Sequence, residues 1–212
     1  MNREDTFKAT ILTMMVFTLQ PLAVGGWLAL IPLIKEQLDR SKGELAFALL
    51  GMPVALVPTL QIAGRIISGL GPRRIMAVVF PLQSVAVMLP LLAWNGPSLF
   101  VALAVLGAAV AFIEVAFNVY AGRLEKRAGL MIMNRCHGCW ALGLMLGSAW
   151  VTAVSGLSPW LALGVLSVLA GIVGCWSALS MPRIGDGDET GQSLPRRTFN
   201  QLPPALIFVA LF

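Results

Sequence analysis

The sequence has 212 residues, 58% of them hydrophobic and 12% charged, with a mean hydropathy of +0.83; soluble domains carry roughly 25% charged residues, so this composition excludes one and indicates an integral membrane protein. The net charge of +5 comes from 15 Lys and Arg residues confined to short segments between apolar runs and their flanks, which is the pattern of membrane topology and not of nucleic-acid binding. Three cysteines are too few for a disulfide scaffold.

After a polar start, residues 9–34 are uncharged for 26 positions, well beyond the apolar region of a signal peptide, which is about 7–15 residues. A first span that stays in the membrane is expected from Ala9 to Ile34, interrupted at Gln20-Pro21 and Gly25-Gly26, as bent helices near transport sites are. A charged segment, Lys35 to Glu44, leads to a second span from Leu45 to about Ser68, which contains Pro53, Pro58 and Gln61. A tight basic turn follows, from Gly69 to Arg74. The 39 uncharged residues from Ile75 to Ile113 are too long for one helix, and Trp94-Asn95-Gly96-Pro97-Ser98 is a turn signal that divides them. Spans three and four are therefore Ile75 to Trp94 and Leu99 to Tyr120. A basic loop, Ala121 to Gly129, precedes a fifth span that opens on Asn134-Arg135-Cys136-His137 and runs to about Val154. Ser155 to Pro159 separates it from the sixth, Trp160 to Met181.

Residues 182–204 turn polar and read as a cytoplasmic linker. Ala205 to Phe212 then begins a new apolar run, whose eight residues reach only about 12 Å against a hydrocarbon core of roughly 30 Å. The expected fold is all-α: a polytopic transmembrane bundle of six spans in residues 1–181, a linker at 182–204, and the truncated start of a seventh helix at 205–212. Twelve basic residues, from Arg3 to Arg197, fall at the N-terminus and in the loops after spans two, four and six with their flanks, whereas the opposite loops hold only Lys35, Arg40 and Lys42. The positive-inside rule then places both ends of the six-helix unit in the cytoplasm.

One carboxylate, Glu114, lies deep inside an apolar span. Insertion scales put a central acid at roughly +3 kcal/mol, against about −0.3 to −0.6 for each Leu, Val, Ile or Phe around it, so the helix still inserts. At helical period Gly107, Ala111, Glu114, Asn118 and Gly122 share one face, lined by small residues apart from the acid and the amide. Such a face looks toward protein or a water-filled cavity. It reads either as a substrate or proton site or as a buried acid holding a neighbouring helix.

Several local motifs resemble one superfamily. Gly64-Arg65-Ile66-Ile67-Ser68-Gly69-Leu70-Gly71-Pro72-Arg73-Arg74 is similar to the signature loop between helices two and three of major facilitator superfamily transporters, with Ser68 where an acid is expected and Gly69 where a basic residue is. Glu114-Val-Ala-Phe-Asn118, Asn134-Arg135-Cys136-His137-Gly138 and Gly143-Leu-Met-Leu-Gly147 resemble the branch of fucose:proton symporters and related sugar permeases, as does Trp27-Leu-Ala-Leu-Ile-Pro32. Those symporters carry a second acid in helix one, where this chain offers Gln20. The resemblance implies the N-terminal half of a major facilitator fold in the plasma membrane, the inner membrane of a bacterium, built from 3+3 repeats.

On that reading the substrate- or proton-binding candidates are Glu114, Asn118, Gln20, His137 and Asn134, with amides at Gln61 and Gln83, and the gating candidates are Gly64, Arg65, Gly71, Arg73 and Arg74. Amides suit a hydroxylated solute. His137 reads equally as an interfacial histidine bonded to a carbonyl. Cys136 and Cys139 form a CxxC with no second ligand pair, so no metal or other cofactor is expected. The expected function is secondary active transport of a small polar solute, such as a sugar, coupled to protons, by alternating access against a C-terminal half. The expected partners are the bilayer, solute, protons and that half, with no enzymatic activity. The rivals are a non-transporting membrane protein, a sensor or truncated relic, and a membrane thiol oxidoreductase using Cys136 and Cys139.

Overall fold

The computed structural model describes residues 3–39 and 41–184. These contain eight α-helices, α1 (Arg3–Ala29), α2 (Ile31–Gln37), α3 (Lys42–Leu49), α4 (Gly51–Leu70), α5 (Pro72–Ala86), α6 (Gly96–Ala128), α7 (Met133–Ala153) and α8 (Pro159–Ser180), and a 3-10 turn at Leu89–Leu92. The expected linker beyond residue 184 and the helix start at 205–212 lie outside the described residues.

Helix boundaries follow local chemistry. Asn95 and Ser98 form a capping box at the start of α6, and Ser41 with Glu44 forms one at α3; in each, a side-chain oxygen takes a backbone N–H that the first turn leaves unpaired. Ser158 caps α8 from just before Pro159, and Pro72 opens α5, positions where the missing proline N–H costs nothing. Gly129 ends α6 at φ 63°, the left-handed conformation that glycine adopts most readily. The next residues are then tied down: Glu125 Oε1 accepts from the N–H groups of Ile132 at 2.6 Å and Met133 at 2.8 Å, at the start of α7. Glu125→Ala should leave both donors without this partner and cost about 1–2 kcal/mol, read as a lower unfolding midpoint in a denaturant titration in detergent. An unshifted midpoint would mean that water serves the turn as well.

Five of the helical segments are long and apolar enough to cross a bilayer: Arg3–Ala29, Lys42–Leu70, Pro72–Leu92, Gly96–Ala128 and Pro159–Ser180. The chain is a multi-pass membrane protein. α7, expected as the fifth of six spans, has the length at 21 residues but, with Asn134, Arg135 and His137 in its first turns, not the apolarity.

Two pairings dominate the packing, α1 with α7 and α4 with α6, and three smaller ones, α5 with α8, α5 with α6 and α1 with α8, are comparable with one another. If the first three long helices (α1, α4, α5) are exchanged for the last three (α6, α7, α8), this set of contacts maps onto itself, as a bundle of two three-helix repeats requires. Glycines make the close approaches. A Cβ on Gly143 or Gly147 would run into the carbonyls of Thr18 and Leu22 in α1, and one on Gly25 into that of Leu144 in α7. Gly51 meets the carbonyl of Phe100 and Gly107 that of Met52, which closes the α4–α6 pair in the same way, and Gly174 seats the Phe80 ring between α5 and α8. Without a hydrophobic force between helices in lipid, this backbone-to-backbone packing is what holds them together.

Some expected boundaries are corrected. Gln20-Pro21 and Gly25-Gly26 do not interrupt the first span: α1 runs through all four, and the break falls at Leu30, before Pro32. The expected second span is two helices that meet at Leu50. The basic loop from Ala121 to Gly129 is helical to Ala128, because its charged residues continue α6 two turns past the apolar stretch. The third span ends its α-helix at Ala86 and finishes in the 3-10 turn, which carries Pro90.

Candidate functional site

The small-residue face of α6 changes character along its length. Gly107 abuts α4 and Ala111 is fully buried, whereas Glu114, Asn118 and Gly122 are only half-buried. Asn118 Nδ2 donates to the main-chain carbonyl of Glu114 at 2.9 Å, so the amide turns back on its own helix and leaves Oδ1 as its free acceptor. It does not bind the Glu114 carboxylate. Among the described residues that carboxylate has no hydrogen bond or ion pair, and no charged group lies near enough to act on it. A buried acid that clamps a neighbouring helix would show a partner.

Gln20 has a different place from the one expected. It is 1% exposed and sits at a junction of three helices: Trp140 Nε1 of α7 donates to its Oε1 at 2.9 Å, its Nε2 donates to Gln83 Oε1 of α5 at 3.5 Å, and Gln83 Nε2 donates to the Gln20 main-chain carbonyl at 2.8 Å. Both amides are engaged within the protein. Their visible effect is to fix the half-buried indole of Trp140. Sequence reading passed over Trp140, although it lies one turn beyond His137 on the same helix. Gln61 is exposed on α4, apart from this network.

His137 and Asn134 are exposed in the first two turns of α7. The His137 ring stands edge-on to Phe17 of α1, with centroids 5.6 Å apart and planes at 89°, and Phe17 packs on Phe117 of α6 at 4.0 Å. Phe117 immediately precedes Asn118. The aromatic trio therefore brings α1, α6 and α7 together and sets His137 at the rim of the helix group that carries Glu114 and Asn118. Cys136, on the other side of α7, is buried as an apolar residue among the core side chains, while Cys139 is half-buried.

The gating segment is not an extended loop. Gly64, Arg65, Ser68 and Gly69 belong to α4, Arg73 and Arg74 to α5, and a single residue, Gly71 at φ 84°, makes the turn. Arg73 Nη2 donates to the carbonyl of Leu179 near the end of α8 at 2.6 Å, and the hydroxyl of Tyr120 donates to that of Pro182 at 2.9 Å. The candidate residues thus fall in separate places: Glu114 and Asn118 on α6, Gln20 with Gln83 and Trp140 at the junction of α1, α5 and α7, and the arginines around Arg73.

A solved structure of the nucleoside transporter NupG aligns with 87% of this chain, at a TM-score of 0.63 and 18% identity, over 45% of its own length. The chain has the fold of one half of a transporter. It is 26% identical over 161 residues, 76% of its length, to an uncharacterized MFS-type transporter of Yersinia pestis, and 27% identical over 133 residues, 63% of its length, to an uncharacterized transporter of Sinorhizobium fredii. The matched parts are 41% and 35% of those relatives, so the chain spans less than half the length of either. No protein-family model matches the chain.

Proposed function

We propose that this chain is the N-terminal half of a major facilitator superfamily transporter that moves a small hydroxylated solute together with protons. The observation that carries the reading is Glu114: a carboxylate within a membrane span, half-buried, with no partner among the described residues. Such a group is tolerated in a bilayer protein where water or substrate reaches it, and it can take up and release a proton as that access changes sides. Asn118 Oδ1 and the ring face of Trp140 suit the hydroxyls and the apolar face of a sugar ring, the acceptor by hydrogen bonding and the indole by stacking. The relatives with transporter names and the NupG-like fold support transport. A ribose and a hexose present the same kind of hydroxyl pattern, so both sugars and nucleosides belong in the solute class. The resemblance of the Glu114–Asn118 and His137–Gly138 motifs to fucose:proton symporters favours the sugar end of that class.

Alternating access in this architecture rocks one six-helix half against another, and the apolar outer face of α4, with Val54, Val57 and Ile62 exposed, offers surface for a second half or for lipid. The test is uptake by proteoliposomes of the full-length protein, offered labelled hexoses, pentoses and nucleosides under an inside-alkaline gradient. At least one should accumulate, and a protonophore should collapse the accumulation. No uptake of any of them in either condition would sink the assignment.

The orientation proposed from the twelve-to-three basic bias places the N-terminus in the cytoplasm, in the plasma membrane of a bacterial cell. Single cysteines at Ser98 and Ser158 should label with an impermeant maleimide from outside, and one at Gly71 only after the membrane is opened. The reverse pattern inverts the topology.

A further inference from the structure

A cavity of about 290 Å³ lies away from Glu114, where α4 turns into α5 and α8 ends. Four arginines line it: Arg73 and Arg74 in the first turn of α5, Arg123 on α6 and Arg183 just past α8. No Asp or Glu is among the described residues of the lining. Its wall is held in place by the bonds from Arg73 to the Leu179 carbonyl and from Tyr120 to the Pro182 carbonyl, at 2.6 and 2.9 Å. The first of these uses one end of the Arg73 guanidinium, while its Nε is buried with no hydrogen-bond partner. Arg183 lies near enough to Arg73 to repel it. Arg73, with its unmet buried donor and Arg183 beside it, needs an anion to offset this repulsion and desolvation. The first turn of α5, 15 residues long, adds unpaired backbone N–H groups and the positive end of its dipole.

We propose that this cavity binds a phosphate group and that an anionic membrane lipid supplies it. Guanidinium forks match phosphate oxygens two at a time. A membrane source fits the surroundings: Leu70 and Leu179, beside the arginines, are 53% and 62% exposed, so acyl chains have apolar surface to lie on immediately next to the charge. Basic pockets between spans at the cytoplasmic interface hold phospholipid headgroups in this way.

The experiment is native mass spectrometry of the full-length protein in neutral detergent, titrated separately with phosphatidylglycerol and phosphatidylcholine. Phosphatidylglycerol should be retained selectively, and Arg74→Gln with Arg183→Gln should lower its retention by about tenfold or more. These two side chains are exposed, so the melting temperature without lipid should hold, which separates lost binding from lost folding. Competition by inorganic phosphate and glycerol 3-phosphate fixes the source: weak displacement supports the lipid, whereas full displacement at concentrations equal to the lipid's assigns the cavity to a free phosphate and overturns the lipid source. Equal retention of both lipids, or equal retention by the natural and doubly substituted chains, overturns the site. A last arm replaces Asp186 and Asp188 by Asn and Glu189 by Gln. Phosphatidylglycerol binding that emerges only in that variant would mean that the chain's own carboxylates occupy the arginines, and would also overturn the proposal.

Discussion

Glu114→Gln should abolish proton-driven accumulation in the full-length transporter while leaving exchange of substrate across the membrane intact. Gln keeps the size and hydrogen-bonding capacity of the protonated acid but cannot ionise, so the variant behaves as a site that never releases its proton. Substrate and carrier can still cross together in the loaded form, which is all that exchange needs. Net accumulation requires the empty carrier to return without its proton, and the variant has no such state. The inside-to-outside ratio should therefore not rise above unity at any imposed gradient, with exchange within about twofold of the natural protein, as expected when binding contacts are kept. A purely structural glutamate gives a different result: Gln would preserve both activities, or, where a buried ion pair had been broken, would damage folding and lose both. The second of these is already disfavoured, because the carboxylate has no charged neighbour among the described residues. Accumulation and exchange measured side by side at matched expression decide the matter, and unchanged accumulation would remove Glu114 from the coupling role.

Gly147→Ala should be the most damaging single-methyl change in the described bundle. A Cβ there coincides with the Leu22 carbonyl of α1, and Gly143, one turn away, meets the carbonyl of Thr18. Helix backbones in van der Waals contact cannot yield a methyl group's width locally, so α1 and α7 have to separate along their length. Overpacking of this kind costs about 3 kcal/mol, against a gain of at most about 1 kcal/mol from the better helix propensity of Ala. Gly138 is the internal control: it lies on the same helix, and a Cβ added to it would meet nothing within 4 Å, so Gly138→Ala should be neutral or slightly stabilising. Thermal unfolding of both variants in detergent, followed by size-exclusion recovery, tests the pair. Equal melting temperatures would show that the α1–α7 contact is looser than its glycines imply.

The weight of that contact also shows where the sequence was readable. Gly143 and Gly147 could be recognised as a GxxxG suited to close packing, since small residues at this spacing mean little else in an apolar helix. The face of α6 was equally readable, because a carboxylate among apolar residues and the helical period are local properties. The turn at Asn95 to Ser98 and the helical character of all the long apolar runs were fixed by caps, prolines and length. The errors in the span boundaries have one physical source. Inside a bilayer-sized helix, Pro21 and the paired Gly25 and Gly26 can be carried by neighbours that pack against them, so local breakers lose their authority; beyond the apolar stretch, Arg123 to Arg127 are good helix formers and continue α6 into the aqueous side.

What no local rule could give is which side chains meet. Gln20 was legible as a polar residue in a span, but its engagement by Gln83 and Trp140 joins positions 63 and 120 residues away. The same is true of Phe17, Phe117 and His137, and of the four arginines that converge at the end of the bundle. The sequence determined the helical character and polarity of the long apolar runs and the depth of the one acid within them, because these depend on neighbours along the chain and on the bilayer as solvent. Only the tertiary structure decided that Glu114 stands without a partner among the described residues while Gln20 does not, because pairing in a helical bundle is set by how far glycines let the backbones approach, and that distance belongs to two helices at once.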